Sequence, residues 1–429
     1  MTSKNDDAWI KLFDKHSILE HIDQNGFYEI SASEIKKVRE PRLMTKFDHS
    51  SNRPEIFKKN KLSILPITRG KYTILKFDAY QKIDEESFLK NSPIMMTKPN
   101  FLESIDFDNI TSEAIAINVA YISGIFHHFI NDDDLYSTIS GRMSSGEFEF
   151  KAVSAEKSFD VIVNNSQIEI DAGFEGQKSV SLVEAKNSLC EDFLIRQVYY
   201  PYRLWDKKLD KPINNIFMMY SNGIFKLLKY SFADKNDYKS IFLEKSSSYM
   251  FEVESITFVD IRFLLSNIEV SNSKLFCPFP QADDFDRVIN LCEIIRNKDS
   301  KIDKEFITCH YDFDPRQTDY YLNACKYLGL IIFSKKEQSF ILTNKTKEIF
   351  TMDIRKRNLF FIESILENEV FNSVLIKFLE EIEVVSIKEI IQIMKNSDEC
   401  AKYGSSTIER RATTVSSWIN WILSKIDDE

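Results

Sequence analysis

Residues 168–187 read IEIDAGFEGQKSVSLVEAKN. Val180-Ser181-Leu182-Val183 has strong strand character. Side chains alternate across a strand, so Glu184 and Lys186 fall on one face and the small Ala185 points into a packed layer. Ile168-Glu169-Ile170-Asp171 alternates likewise, and the loop AGFEGQKS can return the chain as an antiparallel hairpin. Charges at the ends of two paired strands then converge on one point. Phosphodiester hydrolysis uses such a point. Two carboxylates can hold a hard cation such as Mg²⁺, which prefers oxygen ligands and keeps several waters. The cation polarises the phosphate and acidifies a bound water, and a lysine can orient that water and offset developing charge.

A (D/E)-x-K triplet carries little alone, since Glu34-Ile35-Lys36, Glu149-Phe150-Lys151, Asp206-Lys207-Lys208 and Asp237-Tyr238-Lys239 repeat it. Two readings therefore compete for Asp171, Glu184 and Lys186. One is an exposed cross-strand salt bridge worth roughly 0–1 kcal/mol; the other is a hydrolytic centre.

Around this segment the pattern is mixed. Helical periodicity in SEAIAINVAYISGIFHHFI (112–130) gives way to the strand-like runs EFEFKAV, FDVIVN, QIEIDAG and VSLVEAK. A helix, EDFLIRQVYYPYRLW, and two more strands, NNIFMMYS and IFKLLKYSF, follow. The middle strands lie too close together for helical crossovers, so an α/β fold with a mixed sheet is predicted. From about residue 283 the pattern is mostly helical.

This arrangement, Asp-x12-Glu-x-Lys on two strands flanked by helices, resembles the PD-(D/E)XK nuclease superfamily, to which most type II restriction endonucleases belong. The proline that often precedes the acid is replaced here by Ile170. The resemblance implies an α/β mixed-sheet nuclease core, with Asp171, Glu184 and the Ala185 carbonyl as metal ligands and Lys186 as the catalytic lysine. Glu113 matches the place of an accessory acid in the helix before the sheet. Gln197 matches a glutamine that some branches set beside the site, or is a helix-surface residue. Glu169 shares the predicted strand face and rivals Asp171.

In the helical half, DKEFITCHYDFDPRQTDYYLNACKYLGLIIFSKKEQSFILT (303–343) predicts a helix, the short turn Asp312-Phe313-Asp314 and a second helix. Asp314 suits its N-cap and Pro315 its first position; a hairpin wing follows. The order resembles a winged helix-turn-helix, whose second helix reads the major groove from its N-terminal end. Arg316, Gln317 and Tyr320 are then base-edge or groove candidates; a helical module that only packs on its neighbours is the other reading. SSTIERRATTVSSWINW (405–421) sets Thr407, Arg410, Arg411 and Thr414 near a helix start, suited to phosphates and base edges. These motifs, with EPRLMTKFD (40–48) and ILPITRGKY (64–72), resemble parts of certain bacterial restriction endonucleases.

The chain has 429 residues and a formal net charge of −10. That total argues against nucleic acid, but local charge decides. Between Glu34 and Tyr72 eleven Lys/Arg stand against four acids, and Arg42, Lys46 and Arg69 in this stretch are DNA-contact candidates; a solvated lysine face is the competing reading. Six scattered cysteines without a C-x-x-C pair imply reduced thiols. The opening residues, with Asp6 and Asp7 and no apolar core, do not read as a signal peptide, and Ile115–Ile130 reads as a buried helix, so a cytoplasmic protein without membrane contact is expected.

The expected organisation is a basic N-terminal domain at 1–100, the nuclease domain at 101–245, a linker at 246–282, a winged helix at 283–350 and a helical DNA-binding domain at 351–429. The expected function is a type II, Mg²⁺-dependent (Mn²⁺ as substitute), sequence-specific endonuclease of double-stranded DNA. A homodimer on DNA and a cognate DNA methyltransferase are its expected partners. The alternatives are a non-catalytic winged-helix regulator with a degenerate nuclease fold and a DNA-repair nuclease.

Overall fold

The computed structural model describes residues 4–89, 92–153, 158–270, 277–298, 302–310 and 313–427. The protein is mixed α/β, and a seven-stranded sheet is its centre. In chain order the strands are β1 (Ile94–Met96), β2 (Tyr136–Ser144), β3 (Gln167–Glu175), β4 (Val180–Lys186), β5 (Ile213–Ser221), β6 (Ile224–Phe232) and β7 (Ile241–Phe251). Their spatial order is β1-β7-β6-β5-β4-β3-β2. The β4–β5 and β7–β1 pairs are parallel and the others antiparallel. The sheet is therefore mixed, as the spacing of the runs predicts.

Helices cover both faces. The predicted helix over 112–130 is two, α1 (Glu113–Ile122) and Ile125–Ile130, because Gly124 adopts φ +79° between them. Ser112 caps α1 by accepting the Ile115 N–H. α1 packs on the face carrying Val183, Ala185, Ile216 and Met218. The opposite face, with Val180, Leu182, Phe217 and Met219, lies under α2 (Arg196–Asp206), the crossover between the parallel strands β4 and β5. Covered on both sides, β5 is buried nearly throughout, its polar Asn214, Asn215 and Ser221 included.

Three expectations give way. EFEFKAV and FDVIVN form a hairpin of their own (Glu147–Val153 with Ser158–Asn164) outside the central sheet. The start of the predicted helix EDFLIRQVYYPYRLW is a strand, Asp192–Leu194, which pairs with Tyr80–Lys82. The expected linker at 246–282 holds the end of β7 and a helix, Phe258–Asn267, closed by a Thr257–Asp260 capping box.

Ahead of the sheet, helix Lys4–His16 buries Trp9, Leu12 and Phe13 against a small antiparallel sheet of Phe27–Ser31, Lys71–Lys76 and Leu62–Thr68. The C-terminal half contains α3 (Phe285–Arg296), α4 (Lys304–His310), α5 (Pro315–Tyr327), a hairpin (Ile331–Ser334 with Ser339–Leu342), further helices and α6 (Ser405–Leu423). Asp312, in the predicted turn before α5, lies outside the described residues. The segments expected as separate units at 283–350 and 351–429 share one hydrophobic core, where Phe285 meets Trp418 at 5.0 Å and Trp421 at 4.4 Å. Among the described residues no helix is long and apolar enough to cross a membrane.

Candidate active site

β3 and β4 are paired from Val180↔Glu175 to Val183↔Ala172, after which the ladder stops. On the other side of β3 the register against β2 shifts: Ile139 faces Gly173 and Gly141 faces Ile170, so two steps along β2 match three along β3. Ile168 and Ile170 accordingly pack on the α2 side, but Ala172 and Phe174 on the α1 side. The irregularity sits at Asp171 and frees its carboxylate from simple alternation. Asp171 Oδ2 accepts the Ala185 main-chain N–H at 2.8 Å, taking the place of the next ladder bond. Glu169 is exposed and pairs with Arg142 at 3.2 Å, and it lines the same hollow as Glu184 and Gln197.

Glu184 and Lys186 lie side by side at the end of β4, with Nζ 2.5 Å from Glu184 Oε1. Their side chains are only 11% and 14% exposed, which removes the exposed cross-strand salt bridge as a description. Removing two charges from water costs several kcal/mol per ion, so such a pair is a poor device for stability alone. Gln197, in the first turn of α2, donates Nε2–H to Glu184 Oε1 at 2.6 Å. It is half-buried and tied to Glu184 rather than free on the helix surface.

Burial pushes the Glu184 carboxyl up to about 8; Lys186 opposes that rise, and Asp171 adds to it. For Lys186 burial disfavours the charge, but Glu184, then Asp48 and Glu113, more than offset it and hold the ammonium charged. Glu113 begins α1 and accepts the Asn187 main-chain N–H. The residue keeps an exposed edge, while burial of its carboxyl raises the pKa, against Lys186 and with Asp171.

Asp48 was not singled out by pattern, yet it belongs here. Burial would raise its carboxyl, but Lys186 first, then Lys46 and His49, hold it below the usual range. It is delivered by a staple between the N-terminal part and the stretch after β4. The Leu194 N–H donates to the Asp48 carbonyl at 2.9 Å, the Ser50 N–H donates to Asp192 Oδ1 at 3.0 Å, and His49 Nδ1 donates to the Asp192 carbonyl at 2.7 Å. Cys190 Sγ lies 3.9 Å from His49 Nε2, but the thiol is fully buried and serves this staple. Isolated acids in a basic stretch carry no sequence signal that would mark Asp48; only the strand pairing with Tyr80–Lys82 and this staple reveal it.

Among the described residues no three His, Cys, Asp or Glu side chains form an ion cage by themselves. A cation here would draw on Asp171, Glu184, the Ala185 carbonyl and water, an all-oxygen set that suits Mg²⁺. Gln197 Oε1 is a buried oxygen without a partner beside Glu184, an acceptor that a cation's water would satisfy. The residues present fit the group.

The nucleic-acid candidates divide. Lys46 reaches the site, pairing with Asp48 at 3.2 Å with its side chain largely exposed. Arg42, in helix Pro41–Thr45, and Arg69, in the turn before Lys71–Lys76, are exposed. Much of the basic stretch is spent internally, for example Lys71 on Glu29 at 2.8 Å and Arg39 on Asn5 at 2.8 Å. Arg316 is exposed at the start of α5 and donates Nε–H to Tyr320 Oη at 2.5 Å. Gln317 is corrected as a reader: its Oε1 accepts the Asp314 N–H in a capping box, so its amide cannot grip an adenine with both atoms. On α6, Thr407 is half-buried in the first turn and Arg410 is exposed. Arg411 is half-buried, with its guanidinium 3.9 Å over the Tyr403 ring. Thr414 is corrected outright, being 0% exposed and hydrogen-bonded to Asp283 at 2.5 Å.

Three family models match the chain, each described as a domain of unknown function: DUF6996 over residues 6–74, DUF6997 over 75–250 and DUF7226 over 287–427. No curated protein and no solved structure matches it. Asp48 lies in the first matched segment, and Glu113, Asp171, Glu184, Lys186 and Gln197 lie in the second.

Proposed function

We propose that this protein is a Mg²⁺-dependent, sequence-specific endonuclease of double-stranded DNA, of restriction type, with a PD-(D/E)XK-like core. One observation carries the reading: where the β3–β4 ladder stops, Asp171 bonds the main chain next to Glu184, and Lys186 and Gln197 are bonded to Glu184. Asp171, Glu184 and the Ala185 carbonyl would hold the cation. When bound, it supplies Lewis-acid polarisation of the phosphate and an acidified water. Gln197 fixes one Glu184 oxygen and so sets the direction of the other. Lys186, kept charged by the surrounding acids, offers N–H donors to the attacking water and offsets charge developing on the phosphate.

The C-terminal order of three helices and a hairpin supports a winged-helix reader. In that reading α5 presents Arg316 and Tyr320 to the groove, while Lys46 and Arg69 meet the backbone. Purified protein incubated with several long unmodified duplex DNAs and Mg²⁺ should yield discrete, reproducible fragments. A smear would replace the specific reading with a nonspecific nuclease, and intact DNA in every case would overturn the reading.

A further inference from the structure

The stretch after Lys186 is fastened to the C-terminal half by buried polar contacts. The Leu189 N–H donates to Asn290 Oδ1 of α3 at 3.1 Å, and the same amide donates Nδ2–H to Glu293 Oε2 at 3.1 Å. Glu293 also accepts the Ser221 Oγ–H at 2.8 Å and, on its other oxygen, the Asn222 N–H at 3.1 Å, from the turn between β5 and β6. One turn earlier on α3, buried Arg287 pairs with Glu191 at 3.3 Å, and its guanidinium lies 5.5 Å from the Phe313 ring. Phe313 stacks on Tyr321 of α5 at 4.4 Å. From the other side, Asn52 donates to the Thr308 carbonyl of α4 at 2.8 Å, and Thr308 Oγ1 meets Thr318 Oγ1 of α5 at 2.9 Å.

A reader hung on a flexible tether would meet the catalytic part through a loose, wet interface. Here Asn290 and Glu293 are buried and their partners lie across the boundary, so separating the halves would strand them. The first turn of α5 is thus held from both ends: by Phe313 and Arg287 to Glu191 in the 187–195 stretch, and by α4 to the N-terminal segment that carries Asp48.

We propose that Asn290 and Arg287 are positioning residues that fix the distance between α5 and Lys186, so that DNA read by α5 is cut at one fixed offset. This inference rests on the endonuclease reading above. It assigns the role of a ruler to α3, a helix that touches neither the reacting phosphate nor the bases.

The test is end-mapping of the products, with binding measured in parallel, for wild type, Asn290→Ala and Glu191→Ala. Glu191 is mostly exposed, so Glu191→Ala removes the partner that ties Arg287 to the 187–195 stretch, leaves its Asp284 pair within α3's own start, and serves if Asn290→Ala does not fold. Wild type should cut each strand at a single position relative to its site. Both variants should bind the specific duplex as tightly as wild type, with kcat reduced about tenfold or more and a fraction of the cuts displaced by one or more nucleotides. Scattered wild-type cuts, variants that keep both kcat and register, or variants that lose specific binding instead would overturn the inference and leave the nuclease standing. No cutting by wild type on any duplex would overturn the endonuclease reading itself.

Discussion

In the proposed function Glu184 has to be two things: a ligand that must be anionic, and a side chain nearly enclosed by protein. Its carboxyl, ordinarily near 4.5, is lifted to about 8 by burial, so the folded chain holds a proton that the unfolded chain has lost between those values. A raised folded pKa contributes stability that is full below the ordinary value and is lost as pH rises through the folded one. The melting temperature of metal-free protein should therefore fall from pH 5 to above pH 8, Glu184→Gln should flatten that fall, and Mg²⁺ should reverse it at the alkaline end. A thermal-shift series across pH, with and without the cation, measures all three. Asp48 makes the second prediction at this scale. It is a half-buried acid held low by Lys186, so Asp48→Asn should lower kcat by about tenfold to a hundredfold, with duplex affinity unchanged in a gel-shift titration.

At the level of elements, the sequence was most legible where periodicity was strong. β4, β5 and β6, α5 with its Asp314 cap, and α6 all lie where their apolar spacing predicts. Legibility failed where tertiary pairing overrides a local pattern. Asp192–Leu194 reads as the start of a helix, but it is drawn into a strand by Tyr80–Lys82, more than a hundred residues away. β2 (YSTISGRMS) lies at the sheet edge, mostly exposed, and so has little alternation to read. The register shift at Asp171 is invisible to a rule of strict alternation. On α6 the polar sequence near Thr414 suggested a phosphate contact, but the helix turns that residue inward. Thr414→Val should cost about 1–3 kcal/mol in denaturant unfolding by leaving Asp283 without its partner, and should not change DNA affinity. Lost affinity with unchanged stability would put Thr414 on the binding face after all.

For the whole molecule, the net charge of −10 is a sum over unlike parts. Acids gather where a cation would sit, and several lysines of the 34–72 stretch are already paired within the protein. Duplex binding should still be salt-sensitive, because neutralising 6–10 phosphates lowers affinity by about 10³–10⁵ between 50 and 200 mM salt. A flat salt dependence would deny a backbone-gripping surface. The site itself spans two separately matched segments, with Asp48 supplied by one and the strand carboxylates by the other. Neither segment alone is expected to cut.

The most direct measurement is cleavage and binding, side by side on one duplex with Mg²⁺, by wild type and Glu184→Ala. Wild type should give discrete fragments, and Glu184→Ala should bind as tightly while cutting slower by about 10³-fold or more. Equal cutting by the two proteins, or intact DNA with both, would contradict the assignment of Asp171, Glu184 and Lys186 as a hydrolytic centre.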